Sequence, residues 1–147
     1  MFRLKRRAHA TWQGTVPDGG GRIGVGSGAL EGPFTLKARM EEQPSTNPEE
    51  LIGAAHAGCF TMSLADLLAG EGHPAANLET QATVTLEQTE TGFSISRIEL
   101  DIVGDAPGVD ERQFAELAER AKATCPVSRA LAGTEIVLKA RLGAADA

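Results

Sequence analysis

Thr46-Asn47-Pro48-Glu49-Glu50-Leu51-Ile52-Gly53-Ala54-Ala55-His56-Ala57-Gly58-Cys59-Phe60-Thr61-Met62-Ser63-Leu64-Ala65 is the stretch on which the fold turns. It spells one long helix with a marked start. Asn47 is the N-cap, Pro48 takes the first helical position and Glu50 follows three residues after the cap, which together satisfy or remove free backbone N–H groups. From Leu51 to Ala65 no residue carries a full charge, and small or apolar residues occur on every face. Such a helix is expected to be enclosed by protein. Running to about Ala69, it would be roughly 33 Å long. A membrane span is set aside on length, because the charge-free run falls short of ~18 apolar residues and includes His56, Thr61, Ser63 and two glycines. Gly53 and Gly58 each cost about 1 kcal/mol relative to alanine. With Ala54, Ala55 and Ala57 they leave a smooth surface for another backbone to approach.

Composition narrows the remaining choices. A chain of 147 residues reads as a single domain, 1–147, able to bury a core without staples. Aromatic content is 4% with no tyrosine, so the core must be aliphatic. The formal net charge of −6 argues against a nucleic-acid footprint. Arg3, Lys5, Arg6 and Arg7 cluster at the start, but they alternate with apolar residues and read as the polar side of a strand. No apolar segment follows them as in a secretory signal, so the expected compartment is the cytoplasm. Two cysteines in a reducing compartment are reactive or merely buried rather than a permanent disulfide.

Along the chain, residues 3–13 alternate as a first strand, Pro17-Asp18-Gly19-Gly20-Gly21 turns, and Ile23 and Val25 mark a second. Phe34, Leu36, Ala38 and Met40 alternate with Thr35, Lys37, Arg39 and Glu41 as a third. The Gly19–Gly28 stretch lacks a P-loop lysine and a following helix, so it reads as turns. After the long helix come strands around Ala82–Leu86 and Phe93–Ile102, with a phase change that predicts a bulge near Ser96-Arg97. Asp110 caps a helix with Gln113 at the capping-box position. Phe114, Leu117, Ala118 and Ala121 form its stripe, which puts Cys125 on the buried side. Pro126 starts a short helix, Val127 to Ala132, and a last strand carries Ile136, Leu138 and Ala140. The order βββ, α, ββ, αα, β reads as α+β, an antiparallel sheet folded around the long helix.

Cys59 and Cys125 both point inward on this periodicity, so they can meet. An ordinary thiol is only about 3% thiolate at pH 7, and a nucleophile therefore needs a neighbouring positive charge, for which Arg39 and His56 are the candidates. His56 lies one turn before Cys59. On an uncharged helix its plainer role is a neutral, hydrogen-bonded core histidine. A zinc site from His56, Cys59 and Cys125 lacks a convincing fourth ligand, and a cysteine-protease triad lacks an orienting Asn or Asp. Residue chemistry alone leaves open whether the cysteines are reactive or simply small buried hydrophobes.

The run Thr46 to Phe60, with Cys125-Pro126-Val127-Ser128-Arg129-Ala130-Leu131 downstream, closely resembles the OsmC/Ohr family of osmotically inducible and organic hydroperoxide resistance proteins. Trp12-Gln13-Gly14 and Lys37-Ala38-Arg39-Met40-Glu41 extend the likeness over nearly the whole chain, and the Ala-His-Ala-Gly-Cys-Phe and Cys-Pro-Val-Ser forms look like the OsmC branch. The resemblance implies antiparallel sheets wrapped around the central helix in an intertwined homodimer, and a cofactor-free thiol peroxidase acting on organic hydroperoxides better than on hydrogen peroxide. It implies Cys59 as the peroxidatic thiol, Cys125 as the resolving one, Arg39 as the activating guanidinium and Glu49 as the carboxylate that holds it. The expected partners are the hydroperoxide and a dithiol reductant, whether a small dithiol, a lipoylated protein or a thioredoxin-like one; neither nucleic acid nor membrane is expected. Phe60, Met62, Leu64 and the aliphatic strands are expected to surround the thiol with apolar surface, which should favour alkyl or lipid hydroperoxides over hydrogen peroxide. Glu49 and Cys59 lie about 15 Å apart along one helix and on different faces. A site shared between the two chains of a dimer is the expected resolution. A non-enzymatic binding protein and a redox sensor are the rival readings on the same fold.

Overall fold

Period-two alternation builds two three-stranded sheets, and between them in sequence the chain makes one 23-residue helix. The computed structural model describes residues 1–143. Its contacts divide the chain into two compact units, Met1–Leu51 and the part from Ile52 onward.

In the first unit β1 (Ala8–Gln13), β2 (Gly20–Val25) and β3 (Glu31–Phe34) form an antiparallel meander, with Ala8 opposite Val25 and Ile23 opposite Gly32. Two expectations are corrected here. The first strand begins at Ala8, not at residue 3, so the basic cluster stands outside it in chain without regular structure. The third strand stops at Phe34, and Leu36–Met40 forms a helical turn, α1. The cause is local. The Thr35 hydroxyl accepts the Ala38 N–H at 3.0 Å as an N-cap. Leu, Lys, Ala, Arg and Met are among the best helix formers, so the capped turn outcompetes the alternation. Arg39 therefore projects from a helical turn rather than from a strand.

α2 (Pro48–Gly70) starts as its sequence predicts, with the Glu50 N–H donating to Asn47 Oδ1 at 2.8 Å. Beyond it, β4 (Asn77–Thr89) and β5 (Gly92–Asp105) pair antiparallel, and the register slips between Thr85 and Leu86, leaving Ser96 as the bulge. α3 (Glu111–Thr124) is capped by Asp110, whose carboxylate accepts the Gln113 N–H at 2.8 Å. The short α4 (Pro126–Ala130) leads to β6 (Glu135–Leu142). β6 joins β5 in parallel, Ile136 beside Ile98, so this sheet is mixed and not purely antiparallel as the sequence suggested. The two helices between β5 and β6 supply the crossover that parallel neighbours require. The core of this unit gathers Phe60, Leu64 and Leu68 of α2, Ile98, Leu100 and Ile102 of β5, and Phe114, Leu117, Ala118 and Ala121 of α3. Gly104 makes room for the Phe114 ring, because a Cβ there would stand 2.4 Å from Phe114 Cζ.

The expectation that α2 is enclosed on all sides is corrected. Gly53, His56, Phe60, Leu64 and Leu68 are buried, whereas Ala54, Ala55, Gly58 and Met62 are exposed. The glycines divide the same way. A Cβ on Gly53 would press to 3.3 Å from Val84 of β4, while one on Gly58 would meet nothing within 4 Å. α2 also meets a membrane span's requirements of length and composition, so the argument from length fails. Its packed face marks it instead as a core helix, since Phe60, Leu64 and Leu68 have no exposed surface.

Candidate active site

Cys59 lies mid-way along α2, and Cys125 lies at the junction where α3 ends and α4 begins. Pro126 creates that junction, because it cannot continue α3 but fits the first position of a new helix. The Phe114 stripe then carries Cys125 into the core, where it is fully buried; Cys59 is half-buried. The two free thiols stand with their sulfurs 2.9 Å apart.

Their surroundings differ. Burial pushes the Cys59 thiol above its ordinary value, and its hydrogen bond with Cys125 pushes the same way; the Val127 N–H and the Ser63 hydroxyl pull against this without reversing it. Burial also pushes Cys125 up, but there it is outweighed by the S–H of Cys59 and by the N–H and hydroxyl of Ser128, so the Cys125 thiol lies below its ordinary value. Cys125 acts as N-cap to α4, its sulfur accepting the Ser128 N–H at 3.5 Å. None of the largest influences on Cys59 is a cation.

His56 is fully buried, with Nε2 2.7 Å from the Ser128 hydroxyl, and burial lowers its pKa from 6.5. It is the neutral, hydrogen-bonded core histidine that its place on an uncharged helix suggested. Ser128 went unnoticed as a site residue in the sequence, although it ends the Cys-Pro-Val-Ser motif. It serves both partners, donating its N–H to Cys125 and pairing its hydroxyl with His56. Among the described residues no three His, Cys, Asp or Glu side chains gather as metal ligands.

The first unit carries its own charged pair. Arg39 Nε and Nη2 both donate to Glu49 Oε1, at 2.9 and 2.6 Å. The carboxylate is the buried partner, 10% exposed against 40% for the guanidinium side chain. Glu49 Oε2 is buried without a hydrogen-bond partner. With two nitrogens committed to one carboxylate, the guanidinium is fixed in orientation while part of its edge faces outward. Beside it lies a pocket of about 200 Å³ lined by Trp12, Val16, Phe34, Thr35, Leu36, Arg39 and Pro48. The Trp12 and Phe34 rings sit 5.3 Å apart within this apolar wall. Of the three residues expected to surround the thiol, Phe60 and Leu64 belong to the buried core cluster against which Cys59 packs, whereas Met62 is 73% exposed.

A helix-borne thiol paired with a second thiol on an α+β scaffold defines a class that comparison places directly. The chain belongs to the OsmC family: the family model described as OsmC-like protein matches residues 41–140. Peroxiredoxin OsmC of Escherichia coli is 39% identical over 129 residues, 87% of this chain and 90% of that protein. The organic hydroperoxide resistance protein OhrA of Bacillus subtilis is 31% identical over 69% of this chain and 70% of its own length. Among solved structures, an organic hydroperoxide resistance protein from Elizabethkingia anophelis aligns with a TM-score of 0.78 at 26% identity, covering 97% of this chain and all of that one.

Proposed function

We propose that this protein is a cysteine-based peroxidase that reduces organic hydroperoxides to alcohols. The observation that carries the reading is the 2.9 Å approach of the half-buried Cys59 sulfur to the buried Cys125 sulfur. The Cys59 thiolate attacks the outer peroxide oxygen, the O–O bond breaks, and the departing alkoxide takes a proton to leave as alcohol. Cys59 becomes a sulfenic acid. The Cys125 thiol then condenses with it, forming the S–S bond and releasing water. A dithiol restores both thiols by exchange and is itself oxidised to a disulfide. Electrons balance on sulfur alone, so the cycle requires no cofactor.

Cys59 needs help to ionise, because its own chain raises its pKa. Arg39, held by Glu49, is the cation with the right chemistry, since a guanidinium stays charged at every working pH and can also bind the peroxide oxygens. We assign it to the second chain of a homodimer. The exposed apolar face of α2 supports such a partner: a groove of about 630 Å³ runs along Ala57, Gly58, Thr61, Met62 and Ala65, beside Ala75 and residues 77–80. A cycle that returns both cysteines to thiols fits a reducing, cytoplasmic setting.

The pocket beside Arg39 supports the preference for an organic substituent, because its apolar wall rewards a carbon skeleton that hydrogen peroxide lacks. Steady-state turnover with dithiothreitol should give a kcat/KM for cumene hydroperoxide at least tenfold above that for hydrogen peroxide, since one buried side-chain-sized apolar group is worth about 1.5–3 kcal/mol. Equal values would remove the shaped apolar site, and no turnover on either would remove the peroxidase.

A further inference from the structure

Met1-Phe2-Arg3-Leu4-Lys5-Arg6-Arg7 has no regular secondary structure, and every residue of it is exposed. Its apolar side chains are unusually bare for their size, Phe2 at 85% and Leu4 at 59%. The segment holds four of the chain's 14 Lys and Arg and none of its 20 Asp and Glu; the first acidic residue is Asp18. Among the described residues none of the four cations forms an ion pair, although most cations elsewhere in the fold do. The segment is tethered at its end, where the Arg7 carbonyl accepts the Gly26 N–H at 2.7 Å. Beyond that anchor it can reach about 20 Å when extended.

We propose that residues 1–7 form an arm that docks on an anionic lipid surface, with Phe2 and Leu4 entering the boundary between headgroups and acyl chains and Arg3, Lys5, Arg6 and Arg7 meeting lipid phosphates. The alternation of large apolar and basic side chains carries the choice of partner. A polyanion such as DNA complements the charge but leaves Phe2 and Leu4 without an apolar environment, whereas a bilayer interface supplies both. The expectation of no membrane partner is supported by the packed face of α2 only as far as a span through that helix is concerned. An arm lying on the surface is a separate physical mode, and it became visible only because the first strand starts at Ala8. The arm stands independently of the peroxidase reading.

The test is co-sedimentation of the full chain with vesicles of phosphatidylcholine mixed with phosphatidylglycerol, and of phosphatidylcholine alone. Binding is expected only to the anionic vesicles and should weaken as added salt shortens the screening length. Each basic residue near such a surface contributes about fivefold in partitioning, so replacing Arg3, Lys5, Arg6 and Arg7 together by Gln should weaken binding several-hundredfold. Phe2→Ser with Leu4→Ser should weaken it at least about tenfold while the salt dependence persists. Both variants should keep the wild-type circular dichroism spectrum and turnover on a water-soluble hydroperoxide. Absence of wild-type binding to anionic vesicles overturns the proposal, as does binding that neither variant changes. Tighter binding to a short DNA duplex than to the vesicles at the same ionic strength would replace the bilayer with nucleic acid.

Discussion

Cys59 and Cys125 touch each other across 2.9 Å, in surroundings that act on them in opposite directions. The junction of α3 and α4 offers Cys125 a backbone N–H and a serine hydroxyl, and its pKa falls despite complete burial. The middle of α2 offers Cys59 mainly desolvation, and its pKa rises. The sulfur assigned to begin the reaction is thus the one whose surroundings raise its pKa, and the sulfur assigned to resolve it is the one whose surroundings lower it. The difference teaches that at the α3–α4 junction the donors to sulfur outweigh burial, whereas on α2 burial outweighs them. In the function proposed above a cation makes up that difference for Cys59, and the exposed face of α2 is where we place the second chain that brings it.

Removing that cation should have the largest effect. Arg39→Met, run with Glu49→Gln so that no buried carboxylate is left unpaired, should lower kcat/KM about 10²–10³-fold, the usual cost of one preorganised donor at a reacting oxygen. Its remaining rate should climb with pH well past the range where the wild type is flat, because the Cys59 pKa lies above its ordinary value once the guanidinium is gone. A variant whose pH profile matches the wild type would mean that something else ionises Cys59. Mixing Cys59→Ser chains with Arg39→Met chains after co-refolding sharpens the point. If Arg39 acts across a two-fold interface, about one quarter of wild-type turnover should return, since half the dimers are mixed and each has one intact site. No recovery would return Arg39 to its own chain.

A smaller effect tests the Cys125 side. Ser128→Ala deprives the buried His56 Nε2 of its partner and should cost about 1–3 kcal/mol in stability by denaturant unfolding. Wild-type stability should also fall as pH drops below about 6.5. The unfolded chain takes up a proton there while native His56, its pKa lowered by burial, does not, so stability is fully present above that value and is lost on acidification. Stability that stays flat in acid in His56→Gln but not in the wild type would assign the loss to this residue; an unchanged slope would place it elsewhere.

How much of this the sequence disclosed depends on the range over which each feature is determined. The start of α2, the Asp110 cap and the bulge at Ser96 were all legible, because caps and phase changes are set within a few residues. So was the inward course of Cys125, from the Phe114 stripe. The Leu36–Met40 turn was misread, since its residues alternate like a strand and only the Thr35 hydroxyl decides for a helix. The parallel pairing of β6 was missed because register between β5 and β6 is fixed by the crossover of α3 and α4, not by either strand's pattern. The bare face of α2 was hidden for a different reason: small and apolar residues all round look alike whether they meet the same chain or another. The Arg39–Glu49 pair was named through family resemblance, and their spacing alone would have left Arg39 an exposed charge.

The central claim, that Cys59 attacks a hydroperoxide and Cys125 closes on it, is tested most directly by counting thiols under anaerobic conditions before and after one equivalent of cumene hydroperoxide. Wild type should lose both thiols, Cys125→Ser should trap a sulfenic acid at Cys59 detectable by dimedone mass shift, and Cys59→Ser should remain unreacted. Survival of both thiols in the wild type, or a sulfenic acid that forms on Cys125 in the Cys59→Ser chain at the wild-type rate, would contradict the account.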